Sequence, residues 1–143
     1  YLEQYELGKG KSSKKTEILF IERCINFLKP KTGKIGIVLP DGILTNSSLQ
    51  YVRDFIMEKC QVLAVISLPQ FAFSHYGAGV KSSLLFLRRK GTNEILEDYP
   101  IFMAMADHVG YDSTGREDSI NDLKTIYTEY QRFKADKNNY EGC

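Results

Sequence analysis

Between residues 16 and 28 the apolar positions Ile18, Ile21, Ile25 and Leu28 recur at helical spacing, joined by Leu19, Cys24 and Phe27, while Glu22, Arg23 and Asn26 take the other side. This predicts a helix with a wide apolar stripe, as suits one lying on a sheet. Thr16 is placed to cap it and Pro30 to stop it. After the turn at Lys31-Thr32-Gly33 the period changes. Ile35-Gly36-Ile37-Val38-Leu39 is a continuous apolar run ending at Pro40-Asp41-Gly42, which predicts a strand buried on both faces. Ser47-x-x-Gln50 has the form of a capping box, and Leu49, Val52, Phe55 and Ile56 predict a second amphipathic helix ending near Cys60. Residues 62–67 and 82–87 are two further apolar runs, and 101–106 is a third candidate strand. Finally Ile120, Leu123, Ile126, Tyr127, Tyr130 and Phe133 predict a C-terminal helix whose aromatic stripe is a packing face.

Helices alternating with strands imply an α/β sheet covered on both sides. A right-handed crossover makes strands 35–39 and 62–67 parallel neighbours. No helical segment separates 62–67 from 82–87, so that pair is expected as an antiparallel hairpin. With 143 residues, 43% hydrophobic and 26% charged, the chain suits one globular domain. Its expected organisation is a flexible basic loop over 1–16, an α/β part over 17–112, and a C-terminal extension with a helix over 113–143. The first residue is Tyr1 rather than Met, which is read as a piece cut from a longer protein.

The net charge of +1 confines any nucleic-acid contact to local patches. One such patch is Lys9, Lys11, Lys14 and Lys15, in a Gly- and Ser-rich stretch suited either to wrapping phosphates or to plain solvation. No apolar run approaches the ~18 residues that span a bilayer, so no membrane role is expected. Cys24, Cys60 and Cys143 are widely spaced, and His75 and His108 lie far apart. A zinc site is therefore not expected, and buried free thiols fit a reducing, cytoplasmic setting.

Ligands in open α/β sheets bind beyond the carboxyl ends of strands. Three tips qualify and should share one rim: Leu39 to Gly42, Ser67 to Pro69 with the following aromatics, and Gly77 to Ser83 where the hairpin returns. Phe71, Phe73 and Tyr76 offer a stacking platform for a base, or fold back onto the core. Lys81, Ser82 and Ser83 suit phosphate contact, or a solvated strand start. Asp41 is an acid near a substrate, or a turn residue before Gly42. A separate α/β chemistry through Asp41 or His108 has no partner residue in the pattern to support it.

The blocks EILFIERCINFLKP, GKIGIVLPDGIL, VLAVISLP and FSHYGAGVKSSLLFLRR, followed by IFMAMADHVGYDSTG, together resemble the N6-adenine DNA methyltransferase (modification, HsdM-type) subunits of type I restriction systems. The resemblance covers roughly residues 15 to 116. It implies part of a class I S-adenosylmethionine-dependent methyltransferase (Rossmann-like) sheet, with parallel strands ending in an antiparallel hairpin. It implies methyl transfer from S-adenosylmethionine to the exocyclic amine of a flipped adenine in DNA. The partners it implies are a specificity subunit and a restriction subunit. An aromatic before the final hairpin strand stacks on the base in related enzymes. The matching position is Phe73, with Phe71 as second choice. The family's cofactor glycine motif and its Asn-Pro-Pro-Phe tetrapeptide are not in this sequence, whose prolines are Pro30, Pro40, Pro69 and Pro100. The tetrapeptide is expected just before Tyr1. No catalytic residue and no cofactor ligand is therefore assigned here. The chain alone is expected to be inactive, to bind S-adenosylmethionine weakly, and to self-associate through sheet edges. The other reading is a non-catalytic DNA- or subunit-binding module.

Overall fold

The computed structural model describes residues 4–9 and 15–140, the last four by backbone alone. Lys11, Lys14 and Cys143 lie outside the described residues. The first helix, α1 (Thr16–Phe27), buries Ile18, Ile21 and Ile25 as its spacing requires. The stripe is narrower than expected, with Phe27 75% exposed. Glu22, assigned above to the polar side, is instead buried. Its two carboxylate oxygens accept the N–H groups of Glu6 and Leu7 at 2.8 and 2.9 Å. A buried carboxylate persists where donors replace its lost water, and here it pins the N-terminal segment to the helix. Thr16 does not cap α1: Lys15 holds that position, with no side-chain cap bond.

Strand β1 (Lys34–Pro40) runs into a short helix, α2 (Asp41–Thr45), and then α3 (Gln50–Lys59). The Ser47-x-x-Gln50 capping box does not form. Asn46 Oδ1 takes the N–H and hydroxyl of Ser48 instead, and the Gln50 amide bonds Asp54 and Arg53. α3 still buries Val52, Phe55 and Ile56 as its spacing predicts. Strand β2 (Cys60–Ser67) follows directly, then a long loop, then β3 (Ser82–Arg89) and β4 (Phe102–Met105). A small hairpin, β5 (Val109–Tyr111) with β6 (Glu117–Asn121), leads into α4 (Asp122–Tyr140).

The sheet order is β1-β3-β2-β4. β2 and β3 form the expected antiparallel pair, and β4 joins β2 in parallel. The expected adjacency of β1 and β2 is corrected. Both run the same way, but β3 lies between them and pairs antiparallel with each. The reason is in β3 itself, whose run Leu84 to Leu87 is apolar on both faces. Leu85 and Leu87 join the core beneath α1 and α3, while Leu84 and Phe86 join the one beneath α4. Each leucine buried in this way is worth about 2 kcal/mol, so β3 gains most from a central place. β1 is left at an edge. Ile35, Ile37 and Leu39 face the α1–α3 core, but Val38 on the opposite face is 46% exposed. The expectation of burial on both faces thus fails for β1.

α4 closes the other side of the sheet. Tyr130 and Phe133 pack on Phe102 with ring centroids 5.4 and 5.6 Å apart. Burial pushes the Tyr130 phenol pKa upward. Ile126 is buried, as the aromatic-stripe reading requires, but Tyr127 is 65% exposed and Ile120 belongs to β6. At the far end of β3, Arg89 donates to the Ile25 carbonyl and Lys90 to the Met57 carbonyl. These cations satisfy the carboxyl ends of α1 and α3. No helix among the described residues is long and apolar enough to cross a membrane.

Candidate functional site

The register brings the three strand tips to one level. Pro40 lies opposite Ser82, and Ser83 lies opposite both Leu39 and Ser67. Backbone bonds lock this rim: the Asp41 N–H donates to the Lys81 carbonyl at 2.9 Å and the Leu68 N–H to the Ser82 carbonyl at 3.1 Å. The polar side chains at the rim bond to one another. The buried Ser83 hydroxyl donates to Asp41 Oδ1 at 2.7 Å. Lys81 Nζ donates to Ser67 Oγ and to the Leu68 carbonyl, both at 2.6 Å, and lies 3.7 Å from Asp41 Oδ2. Ser82 is buried, with its hydroxyl on the Val80 carbonyl. Lys81 therefore closes the gap between the β1 and β2 tips, and Asp41 anchors the start of α2 as well as its turn.

The loop between Ser67 and Ser82 rises from this rim. Its backbone is folded on itself: Ser74 N–H meets the Phe71 carbonyl, while Tyr76 and Ala78 N–H both meet the Phe73 carbonyl. Gly77 ends the turn at φ +85, a left-handed conformation that favours glycine. Phe71 and Phe73 are half-buried and pack against the cluster of Ile66, Leu68, Ala72, Ala106, Val109 and Ile126. Both residues pack against this core and keep part of their surface open. Tyr76 is the most exposed of the three aromatics, at 74%.

Lys9 and Lys15 are exposed, on either side of the short stretch that contains Lys11 and Lys14. His75 and His108 are exposed and belong to different loops. No group of three or more acidic, Cys or His residues suited to a metal exists among the described residues. Cys60 is fully buried, and desolvation pushes its thiol pKa up to about 11. Cys24 is half-buried. No residue of the rim is assigned to S-adenosylmethionine: Asp41, Lys81, Ser67 and Ser83 bond one another. No step is derived through that cofactor.

The sequence patterns did not point to Ser67 as a Lys81 partner. They also gave no sign that Tyr111, on β5, donates to the Ala72 carbonyl at 2.8 Å. Polar residues closing apolar runs are the available signal for the first, and nothing local signals the second.

A rim of this kind beneath an aromatic hairpin loop invites comparison with known proteins. The N-6 DNA methylase family model matches residues 3–142. The chain belongs to the N-6 DNA methylase family. The resemblance drawn from its ordered sequence blocks holds at that level. Solved structures of similar fold include a putative class I S-adenosylmethionine-dependent methyltransferase from Listeria monocytogenes, with TM-score 0.66 and 21% identity over 90% of this chain. A structure of a type I restriction-modification complex aligns with TM-score 0.63 and 21% identity over 95% of the chain. A modification subunit of a putative type I restriction enzyme from Vibrio vulnificus YJ016 aligns with TM-score 0.57 and 17% identity over 92%. The present chain spans 36%, 27% and 28% of those three chains. No curated protein matches the sequence significantly. The N-6 DNA methylase chain thus has an α/β fold like that of class I methyltransferases, with a mixed sheet and a C-terminal helix.

Proposed function

We propose that this chain is the C-terminal part of the catalytic domain of an N6-adenine DNA methyltransferase, the modification subunit of a type I restriction-modification system. The complete protein transfers a methyl group from S-adenosylmethionine to a flipped adenine. This chain contributes the wall on which the adenine stacks and is inactive alone. The reading is carried by one observation: a loop bearing half-buried Phe71 and Phe73 leaves the same rim at which all three strand tips meet. A flipped base needs such a surface, apolar on its face and fixed from behind. Phe73 is the leading stacking residue and Phe71 the second. Lys9, Lys11, Lys14 and Lys15 are the phosphate contacts, while the bonding of Lys81 and buried Ser82 favours a structural role over a direct DNA contact for each. Specificity and restriction subunits are the partners, and the single-sided strands β1 and β4 support self-association of the isolated piece.

Phe73→Ala in the complete enzyme tests the reading. A stacking contact is worth ~1–3 kcal/mol per base, so kcat/KM for adenine methylation should fall at least about five-fold. A change below about threefold refutes the base wall. A second reading, a DNA-binding module without chemistry, is favoured by the exposure of Lys9 and Lys15. It predicts salt-dependent DNA affinity in the 143-residue chain, lost when the four lysines are replaced.

A further inference from the structure

The hairpin β5–β6 lies outside the rim and carries none of the candidate base or phosphate contacts. Its contacts converge on one target. The Tyr111 hydroxyl donates to the carbonyl of Ala72, the residue between Phe71 and Phe73. Ala72 is itself buried, so this bond fixes the backbone on which both phenylalanines are carried. The same tyrosine ring meets His75 edge-on, with centroids 5.6 Å apart. Gly115, at the tip of the hairpin, lies against the same imidazole. A Cβ there would come within 2.7 Å of His75 Cδ2, and the backbone sits at φ +82, where side chains are strained.

The hairpin is stiff at both ends. Asp112 Oδ1 accepts from the Thr114 N–H, the Thr114 hydroxyl and the Arg116 N–H. At its base Asp122, the first residue of α4, accepts the N–H groups of Asp107 and His108 on one oxygen. Its own N–H returns to the His108 carbonyl. Helix, hairpin and aromatic loop are therefore connected through short, directional contacts.

We propose that Tyr111 and Gly115 are positioning residues that hold the Phe71–Phe73 segment at the height a flipped base requires. The inference rests on the base-wall reading above and deepens it. A loop held only by its own turns shifts by fractions of an ångström, and misplacement of about 1 Å is costly to a reaction. The brace removes that freedom through the backbone of Ala72 and the ring of His75.

The test uses the complete protein and four variants: Tyr111→Phe, Gly115→Ala, Phe73→Ala, and Tyr111→Phe combined with Phe73→Ala. Tyr111→Phe keeps the ring and loses one hydrogen bond, whose ordinary worth corresponds to about five-fold. Hydrogen exchange at the Ser74, Tyr76 and Ala78 amides should quicken about that much in Tyr111→Phe and in Gly115→Ala. The kcat should fall by a similar factor, with S-adenosylmethionine affinity nearly unchanged; the melting temperature should stay close to that of the unaltered protein in Tyr111→Phe and fall in Gly115→Ala, whose backbone is strained by a side chain. Because Tyr111 acts through Phe73, the double variant should be no slower than Phe73→Ala alone. Unchanged loop exchange in both brace variants overturns the brace whatever Phe73 does. Losses that multiply in the double variant overturn its action through Phe73. Faster exchange together with an unaffected Phe73→Ala enzyme keeps the brace and overturns the base wall instead.

Discussion

Replacing Lys81 by Met separates two roles that one lysine at a strand tip can have. The apolar stem is kept and the ammonium removed. The ammonium makes two 2.6 Å bonds, to Ser67 Oγ and the Leu68 carbonyl, plus an ion pair with Asp41 at 3.7 Å. A hydrogen bond to a charged group is worth about 1.5–3 kcal/mol. Here the Lys81 side chain is 37% exposed, so water replaces part of what is lost, and the low end applies to each bond. The partly exposed ion pair adds at most about 0.5 kcal/mol. Against this, the untethered methionine side chain is spared an ordering cost of about 1–2 kcal/mol. The expected net loss is about 2 kcal/mol, or roughly 6–8 °C in melting temperature for a chain of this size. Calorimetry on the 143-residue chain reads it. The companion assay is DNA affinity of the complete enzyme against salt. A lysine on a phosphate removes about one from the logarithmic salt slope when it is replaced, whereas a lysine holding the rim together leaves the slope alone. A melting temperature lowered by less than about 2 °C, with a slope reduced by one, refutes the clasp and restores Lys81 as a DNA contact.

Glu22→Gln should destabilise the chain by about 2 kcal/mol, because the amide can accept only one of the two N–H groups and turns its own N–H toward the other; urea denaturation measures this, and a loss under 0.5 kcal/mol contradicts it. Cys60 should resist iodoacetamide at pH 7.5 while Cys24 reacts, since the Cys60 thiol is fully buried and its pKa is raised to about 11. Only above that value does the thiolate dominate, so peptide mapping that finds Cys60 labelled at neutral pH in the native protein refutes the assignment.

Local pattern was enough for what depends on a residue's own neighbours in the chain. The period of Ile18, Ile21 and Ile25, the run Leu84 to Leu87 and the spacing of Ile126, Tyr130 and Phe133 each specified an element and its buried side, because a helix or strand repeats its geometry over a few residues. The absence of a helix between β2 and β3 also settled their antiparallel pairing. The capping box failed because the Gln50 side chain is held by Asp54 and Arg53 while Asn46 caps the turn in place of Ser47, an outcome for which local motifs compete. The hairpin of β5 and β6 was too short and too polar to register.

The candidate site divides along the same line. That the tips after Leu39 and Ser67 and the start of β3 would share one rim followed from strand direction alone. Which side chains meet there did not. Glu22 became a buried acceptor because residues 6 and 7 return to α1. Lys81 reached Asp41 because β3 entered between β1 and β2. Tyr111 reached Ala72 across 39 positions of sequence. Sequence by itself determined the main helices and sheet strands, most of their apolar positions and the family to which they belong. Only the tertiary structure decided strand order and the pairing of polar groups, because both depend on contacts between residues far apart in the chain, where no local periodicity carries the information.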